Sequence, residues 1–150
     1  MNNIPDSELP IWLVALIPLA FFVFFPLMWC FVLWMLSHVG GWSRLAARYR
    51  SKEAPLGKRW TGVQGNVGFV SYRGVLECTT NEEGMFLQPG LIFRFSHPLL
   101  FIPWTEFREA RRSTILWLRT VRANVGSPRV ARIRLAANVF EESEGRRVLD

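Results

Sequence analysis

The sequence predicts an α+β protein: one N-terminal transmembrane helix, then a mainly antiparallel β-barrel or sandwich with a C-terminal helix. Residues 11–36 contain no charged side chain. From Trp60 onward, apolar and polar residues alternate in short runs separated by turn residues, which is typical of antiparallel strands. Residues 135–145 then place small and apolar side chains at helical spacing, followed by glutamates. With 150 residues, the chain has room for one ordinary domain and a short extra element.

The apolar segment 11–36 is long enough to cross a bilayer, because about 20 such residues suffice. As a helix it measures about 39 Å, against a hydrocarbon core of about 30 Å. One tilted or kinked crossing therefore fits, with Pro18 and Pro26 as the natural kink positions. The residues before the segment include no lysine or arginine, so a cleaved signal peptide is not expected.

Charge on the two sides of this segment predicts its orientation. Asp6 and Glu8 precede it without any cation, whereas lysines and arginines dominate residues 38–60. The positive-inside rule then places the N-terminus outside and the C-terminal domain in the cytoplasm. The predicted organisation is a short extracytoplasmic tail at 1–10, a transmembrane helix at 11–37, an amphipathic juxtamembrane helix and linker at 38–57, and a cytoplasmic β-rich domain with a C-terminal helix at 58–150.

The juxtamembrane stretch predicts a short amphipathic helix. Trp42, Leu45, Ala46 and Tyr49 follow the helical spacing i, i+3, i+4 and i+7. Such a helix is expected to lie in the membrane interface, although the stretch is also consistent with a flank that only sets orientation. The candidate membrane-interface residues are Trp34, Trp42, Arg44, Arg48, Tyr49 and Arg50.

Arginine dominates the charge of the predicted cytoplasmic part. All 18 Lys and Arg residues follow the apolar segment, together with 10 of the 12 acidic residues, which leaves a net charge of +8. Alternation on the predicted strands places Arg119 with Ile115 and Trp117, on a partly apolar face. Two interpretations stay open, a solvated face with cross-strand pairs and a binding face for an acidic partner. The candidate partner-binding or lipid-binding residues are Arg94, Arg108, Arg119, Arg132 and Arg134.

His97 is the one histidine of the predicted domain, and it does not predict an enzyme. A catalytic histidine needs a group that orients it, yet the only aspartates are Asp6 and Asp150. The stretch Ser96-His97-Pro98 predicts a corner instead, because a residue before proline avoids the helical region. The neighbouring Trp104 is expected to close the core, with a ligand pocket as the alternative.

Other classes of site have little support in the sequence. Two cysteines and two histidines do not make a metal centre, and Cys30 and Cys78 are not expected to meet. The glycines of residues 61–69 predict a bulged strand rather than a phosphate-binding loop. No cofactor is expected, and no nucleic acid either, because no recognition helix or stacking motif is present.

Four motifs carry a resemblance to known proteins. The stretches GGWSRLAARYR, GKRW, NEEGMFL and FSHPLLFIPWTEF resemble small uncharacterised bacterial membrane proteins with one N-terminal span and a β-rich tail, over roughly residues 28 to 110. The order of the parts is weakly similar to bacterial pleckstrin-homology-like domains, in which a partly open barrel is capped by one helix. The resemblance implies a location in the bacterial inner membrane and a binding role, and it transfers no catalytic residues.

The expected function is that of a non-enzymatic, membrane-tethered interaction module. Its expected partners are the lipid bilayer and another membrane protein or complex, on which it would dock at the cytoplasmic face as an accessory or scaffold subunit. The alternative is a pleckstrin-homology-like domain that binds anionic lipid headgroups directly.

Overall fold

The structure is a computed structural model that describes residues 10–53 and 55–150. It divides into two compact units, Met1–Val32 and Leu33–Asp150. Most of the expected extracytoplasmic tail lies outside the described residues.

The N-terminal helix α1 spans Ile11–Gly40 and is continuous through Pro18 and Pro26. Its most apolar 18-residue window has a mean hydropathy of 2.5 and contains no buried residue, so the helix is long and apolar enough to cross a membrane. It ends three residues later than the predicted span, where Gly41 takes a positive φ of 88° that favours glycine. Helix α2 follows at Trp42–Tyr49.

The domain is one curled, seven-stranded antiparallel sheet that forms a half-barrel. The order of the strands is β4-β3-β2-β1-β7-β6-β5, so β1 joins the two halves. The strand bounds are β1 Lys58–Val67, β2 Val70–Thr80, β3 Gly84–Pro89, β4 Leu100–Pro103, β5 Phe107–Ile115, β6 Leu118–Val125 and β7 Ala131–Ala136.

Two predicted strands are wrong. The apolar and polar pattern of residues 91–95 predicts a strand, but Leu91–Phe93 forms a 3₁₀ turn. The alternation in residues 114–122 predicts one strand, but Ile115 pairs with Leu118 and the chain reverses between them. Leu116 takes a positive φ of 58° in that turn, a conformation that a sequence pattern does not announce for leucine.

The C-terminal segment begins as a strand and ends as short helices. The predicted helix at 135–145 is replaced by the end of β7, helix α3 at Ala137–Glu141 and a 3₁₀ segment at Glu144–Val148. Val139 and Phe140 are buried against the sheet, as the helical pattern predicts.

Trp104 closes one end of the core, as predicted. Its ring centroid lies 5.5 Å from that of Phe107 and 6.0 Å from that of Phe140. The indole Nε1 donates a hydrogen bond of 2.9 Å to the carbonyl of Asn81, so the polar edge of the ring is satisfied.

Candidate functional site

Helix α2 packs on the sheet, which corrects the role expected for two of its side chains. Trp42 and Tyr49 were expected in the membrane interface, but both are buried in the core of the domain. The Trp42 indole donates to the carbonyl of Pro98 at 3.1 Å. Because this apolar face covers the sheet, it is not available to lipid. The remaining interface candidates, Trp34, Arg44, Arg48 and Arg50, are exposed.

His97 is a buried structural residue of the same core. Its Nδ1 lies 3.0 Å from the carbonyl of Phe95, which can only accept, so Nδ1 carries the proton. Its Nε2 then accepts a hydrogen bond from the Tyr72 hydroxyl at 3.0 Å. Burial lowers the pKa of His97, although the carbonyl of Phe95 opposes the shift. In the described part of the chain, no carboxylate is hydrogen-bonded to this ring.

The outer face of β5, β6 and β7 brings arginines into register. Arg111 pairs with Arg122, and Arg122 pairs with Arg134, so three arginines occupy one row of cross-strand positions. The neighbouring row contains Arg108 and Arg132 on either side of Asn124. We call the following six residues the arginine surface: Arg108, Arg111, Arg122, Arg129, Arg132 and Arg134.

Strand periodicity explains why these side chains share one face. On β6 and β7, the alternate positions Val121, Ala123 and Ile133 are buried in the core. Since successive side chains of a strand point to opposite faces, the arginines between them point outward. On β5, Arg108 and Arg111 are three positions apart, so in a regular strand they would point to opposite faces. A bulge between them, in which Glu109 takes a positive φ of 50°, puts both on the outer face.

Four residues of the arginine surface line a groove, together with one acidic residue and with Arg112, whose guanidinium pairs with Glu141 at 3.4 Å. The groove has a volume of about 450 Å³, and Arg111, Arg122, Arg129 and Arg132 lie along it. Its acidic group is Glu109, which accepts a hydrogen bond of 2.6 Å from the amide of Asn124. Among the described residues, none of the six arginines of the surface makes an ion pair.

Arg134 carries a further unsatisfied group. Its Nε atom is buried and has no hydrogen-bond partner among the described residues. A buried donor without a partner costs about 1–3 kcal/mol, and like charges directly opposite each other on a sheet are also destabilising. Arg134 therefore combines a buried, unpartnered Nε with a position directly opposite Arg122 on the sheet.

The structure brings together three of the five predicted binding arginines. Arg94 lies apart and pairs with Glu77 at 3.6 Å. Arg119 is also apart, since its guanidinium pairs with Glu141 at 3.2 Å. Sequence reasoning missed Arg111 and Arg122, because their cross-strand register depends on the turn at residues 116 and 117, and it missed Arg129, which lies in the turn between β6 and β7. Only that turn puts β5 opposite β6.

A larger groove, of about 590 Å³, lies near the C-terminus and is a weaker candidate. It is lined by both signs of charge, and they pair with each other. Lys58 contacts Glu142 at 3.0 Å, and Arg147 contacts Glu144 at 2.8 Å. Charges that are already paired leave less attraction for a ligand.

The β5–β6 turn presents an exposed apolar tip at the end of the two strands that carry Arg111 and Arg122. Leu116 and Trp117 are 81% and 86% exposed. We call residues 115–118 the hairpin tip. It lies six residues along β6 from Asn124, which is about 20 Å at the rise of a strand.

The described residues contain no cluster of three or more His, Cys, Asp or Glu side chains that could hold a metal ion. Comparison of the chain with protein-family models, curated proteins and solved structures gave no match.

Proposed function

We propose that this chain is a non-enzymatic interaction module, held at the bacterial inner membrane by α1, whose arginine surface binds an acidic segment of a partner membrane protein. The observation that carries the proposal is the row formed by Arg111, Arg122 and Arg134, three cations in register without an ion pair. Because this row is costly to the free protein, it is best explained by a ligand of opposite charge.

The membrane tether rests on the length and composition of α1. Its 30 residues measure about 45 Å, which exceeds a hydrocarbon core of about 30 Å. The cations of the chain all follow this helix, so the positive-inside rule favours a cytoplasmic domain.

The hairpin tip favours a protein partner over a lipid surface. Tryptophan and arginine are enriched at protein interfaces, and here Trp117 lies at the end of the strands that carry Arg111 and Arg122. The tip also lies far from the end of α1. Gly40 lies against Gly68 in the β1–β2 turn, and the Gly68 amide donates a hydrogen bond to the carbonyl of Arg132. Arg132 pairs with Asn124, and the tip lies about 20 Å along β6 from Asn124.

The architecture supports a binding role in a general way. A curled antiparallel sheet followed by a C-terminal helix is the order of parts that a pleckstrin-homology-like domain would have, and such domains bind proteins or lipid headgroups. The likeness is part of this proposal, and it assigns no residue a role.

The test uses the full chain in nanodiscs of phosphatidylcholine and a fluorescent hexaglutamate peptide as the probe. We expect binding at low ionic strength that weakens as salt is added. The double variant Arg111→Gln, Arg122→Gln removes two exposed charge contacts of up to about 1 kcal/mol each, so its affinity should fall by about tenfold. The matched control Arg50→Gln, Arg73→Gln removes the same charge elsewhere and should bind like the wild type.

Two results would contradict the proposal. Equal loss of binding in both double variants would show attraction by net charge, without a specific surface. Binding to phosphatidylglycerol vesicles that depends on Arg111 and Arg122, with no binding of the peptide, would establish the anionic-lipid alternative instead.

A further inference from the structure

The segment between β3 and β4 exposes three large apolar side chains. Leu91, Ile92 and Phe95 are 77%, 72% and 55% exposed. The one cation among them, Arg94, pairs with Glu77. The segment therefore presents an apolar surface whose only charge is already partnered, unlike the arginine surface. We call Leu91–Phe95 the β3–β4 apolar segment.

The β3–β4 apolar segment is held in a defined conformation. The amide of Phe93 donates to the carbonyl of Gly90 at 2.9 Å, and the amide of His97 donates to the carbonyl of Arg94 at 3.0 Å. His97 itself is buried and bonded to Tyr72. The outward direction of the apolar side chains is thus fixed by the fold.

The segment lies beside the last turns of α1. Leu33, Ser37 and Gly40 are the buried residues of that helix, and their spacing of i, i+4 and i+7 puts them on one face. The Ser37 hydroxyl donates a hydrogen bond of 2.7 Å to the carbonyl of Ser96, the residue directly after Phe95.

The length of α1 gives the depth at which this contact occurs. Of its 30 residues, the last eight carry the buried face and measure about 12 Å. The rest, residues 11–32, measure about 33 Å, close to the hydrocarbon thickness of about 30 Å. If these residues fill the bilayer, its hydrocarbon boundary is near Leu33, and Ser37 lies about 6 Å beyond it. That depth is the headgroup region.

We propose that Leu91, Ile92 and Phe95 insert into the interface of the same bilayer that α1 crosses, as a second membrane contact that fixes the orientation of the domain on the membrane. The inference rests on the proposed function, because it takes α1 to be a membrane span. Large apolar side chains of this kind are those that interfacial segments bury at the boundary between headgroups and acyl chains.

The test places an environment-sensitive nitrobenzoxadiazole label at single cysteines of the full chain in phosphatidylcholine liposomes. The background variant is Cys30→Ser, and Cys78 stays because it is buried and burial raises the pKa of its thiol. The label is placed at Ile92→Cys, at Leu19→Cys in the span and at Leu116→Cys in the hairpin tip. Each sample is measured with and without lipids that carry a spin-label quencher.

We expect strong quenching at position 19, clear quenching and a blue-shifted emission at position 92, and neither at position 116. Quenching at 19 with none at 92 overturns this inference and leaves the membrane span in place. A blue shift at 92 without quenching also overturns it, because the segment is then covered by protein. Absence of quenching at 19 removes the membrane tether and this inference together.

Discussion

The Tyr49 hydroxyl donates a hydrogen bond of 2.7 Å to the Glu106 carboxylate, and this bond joins α2 to the 3₁₀ turn before β5. Arg48 reaches the same carboxylate at 4.0 Å. A helix whose sequence is typical of a membrane surface is thereby part of the domain. Its removal would expose the core that Trp42 and Leu45 close.

The Tyr49 bond predicts a loss of stability in Tyr49→Phe. The variant keeps the ring and removes one hydrogen bond, so the free energy of unfolding should fall by about 1 kcal/mol at pH 7. The measurement is the urea midpoint of the detergent-solubilised full chain. An unchanged midpoint would show that the helix is held by its apolar face alone.

The same bond predicts a dependence on alkaline pH. Burial, and then the hydrogen bond to Glu106, raise the pKa of Tyr49 to about 12, from about 10 in the unfolded chain. The contribution is therefore complete below pH 10 and is lost as the pH rises towards 12. The difference in midpoint between wild type and Tyr49→Phe should shrink above pH 10. A difference that stays constant would contradict the assigned bond.

His97 predicts a dependence on acidic pH of the opposite sign. Because burial lowers its pKa in the folded state, the unfolded chain binds a proton more readily. Stability should therefore decrease as the pH falls below about 6.5, the ordinary pKa of histidine. The variant His97→Gln should be less stable at pH 7 and show a flatter profile between pH 7 and 5. An equal slope in both proteins would assign the acid sensitivity to other groups.

Two glycines with similar backbone angles separate conformational strain from close packing. Gly68 and Gly62 have φ values of 59° and 65°, but only at Gly68 would an added methyl group collide with the carbonyl of Gly40. We expect Gly62→Ala to cost about 1 kcal/mol and Gly68→Ala clearly more. Thermal unfolding of the full chain measures both. Equal losses would mean that Gly40 does not rest on the β1–β2 turn.

Removal of one arginine from the row should stabilise the free protein. Arg122 faces Arg111 and Arg134, so Arg122→Gln should raise the free energy of unfolding by about 0.5 kcal/mol at low salt. The gain should shrink as salt screens the repulsion. Arg73→Gln, at an exposed position of β2, is the control and should change little. If Arg122→Gln destabilises the protein, the row supports the fold and its cost is not evidence for a ligand.

The sequence predicts the strands and hairpins well wherever turn chemistry is explicit. Asn81 accepts hydrogen bonds from the amides of Glu83 and Gly84, at 3.0 and 2.9 Å, and so forms the β2–β3 turn that its type predicts. The turn at Leu116 and Trp117 has no glycine or asparagine, so the sequence does not signal it. The register of Arg111 with Arg122 depends on that turn and could not be predicted either.

The surface on which an amphipathic helix packs is a second property that the sequence does not determine. The spacing of Trp42, Leu45 and Tyr49 shows that one face of the helix is apolar. Such a face can be buried either in the membrane interface or against a β-sheet. The structure resolves the question through polar contacts, because Trp42 and Tyr49 each find a hydrogen-bond partner on the domain. Such partners lie more than 50 positions away along the chain, beyond the reach of a local pattern.

The most direct measurement of the central claim is nuclear magnetic resonance of the arginine Nε–H groups while hexaglutamate is titrated into the full chain in micelles. We expect saturable shifts of the Arg111 and Arg122 signals, because both side chains are exposed and line the groove. Shifts confined to Arg50 and Arg73, or spread evenly over all arginines, would contradict the claim.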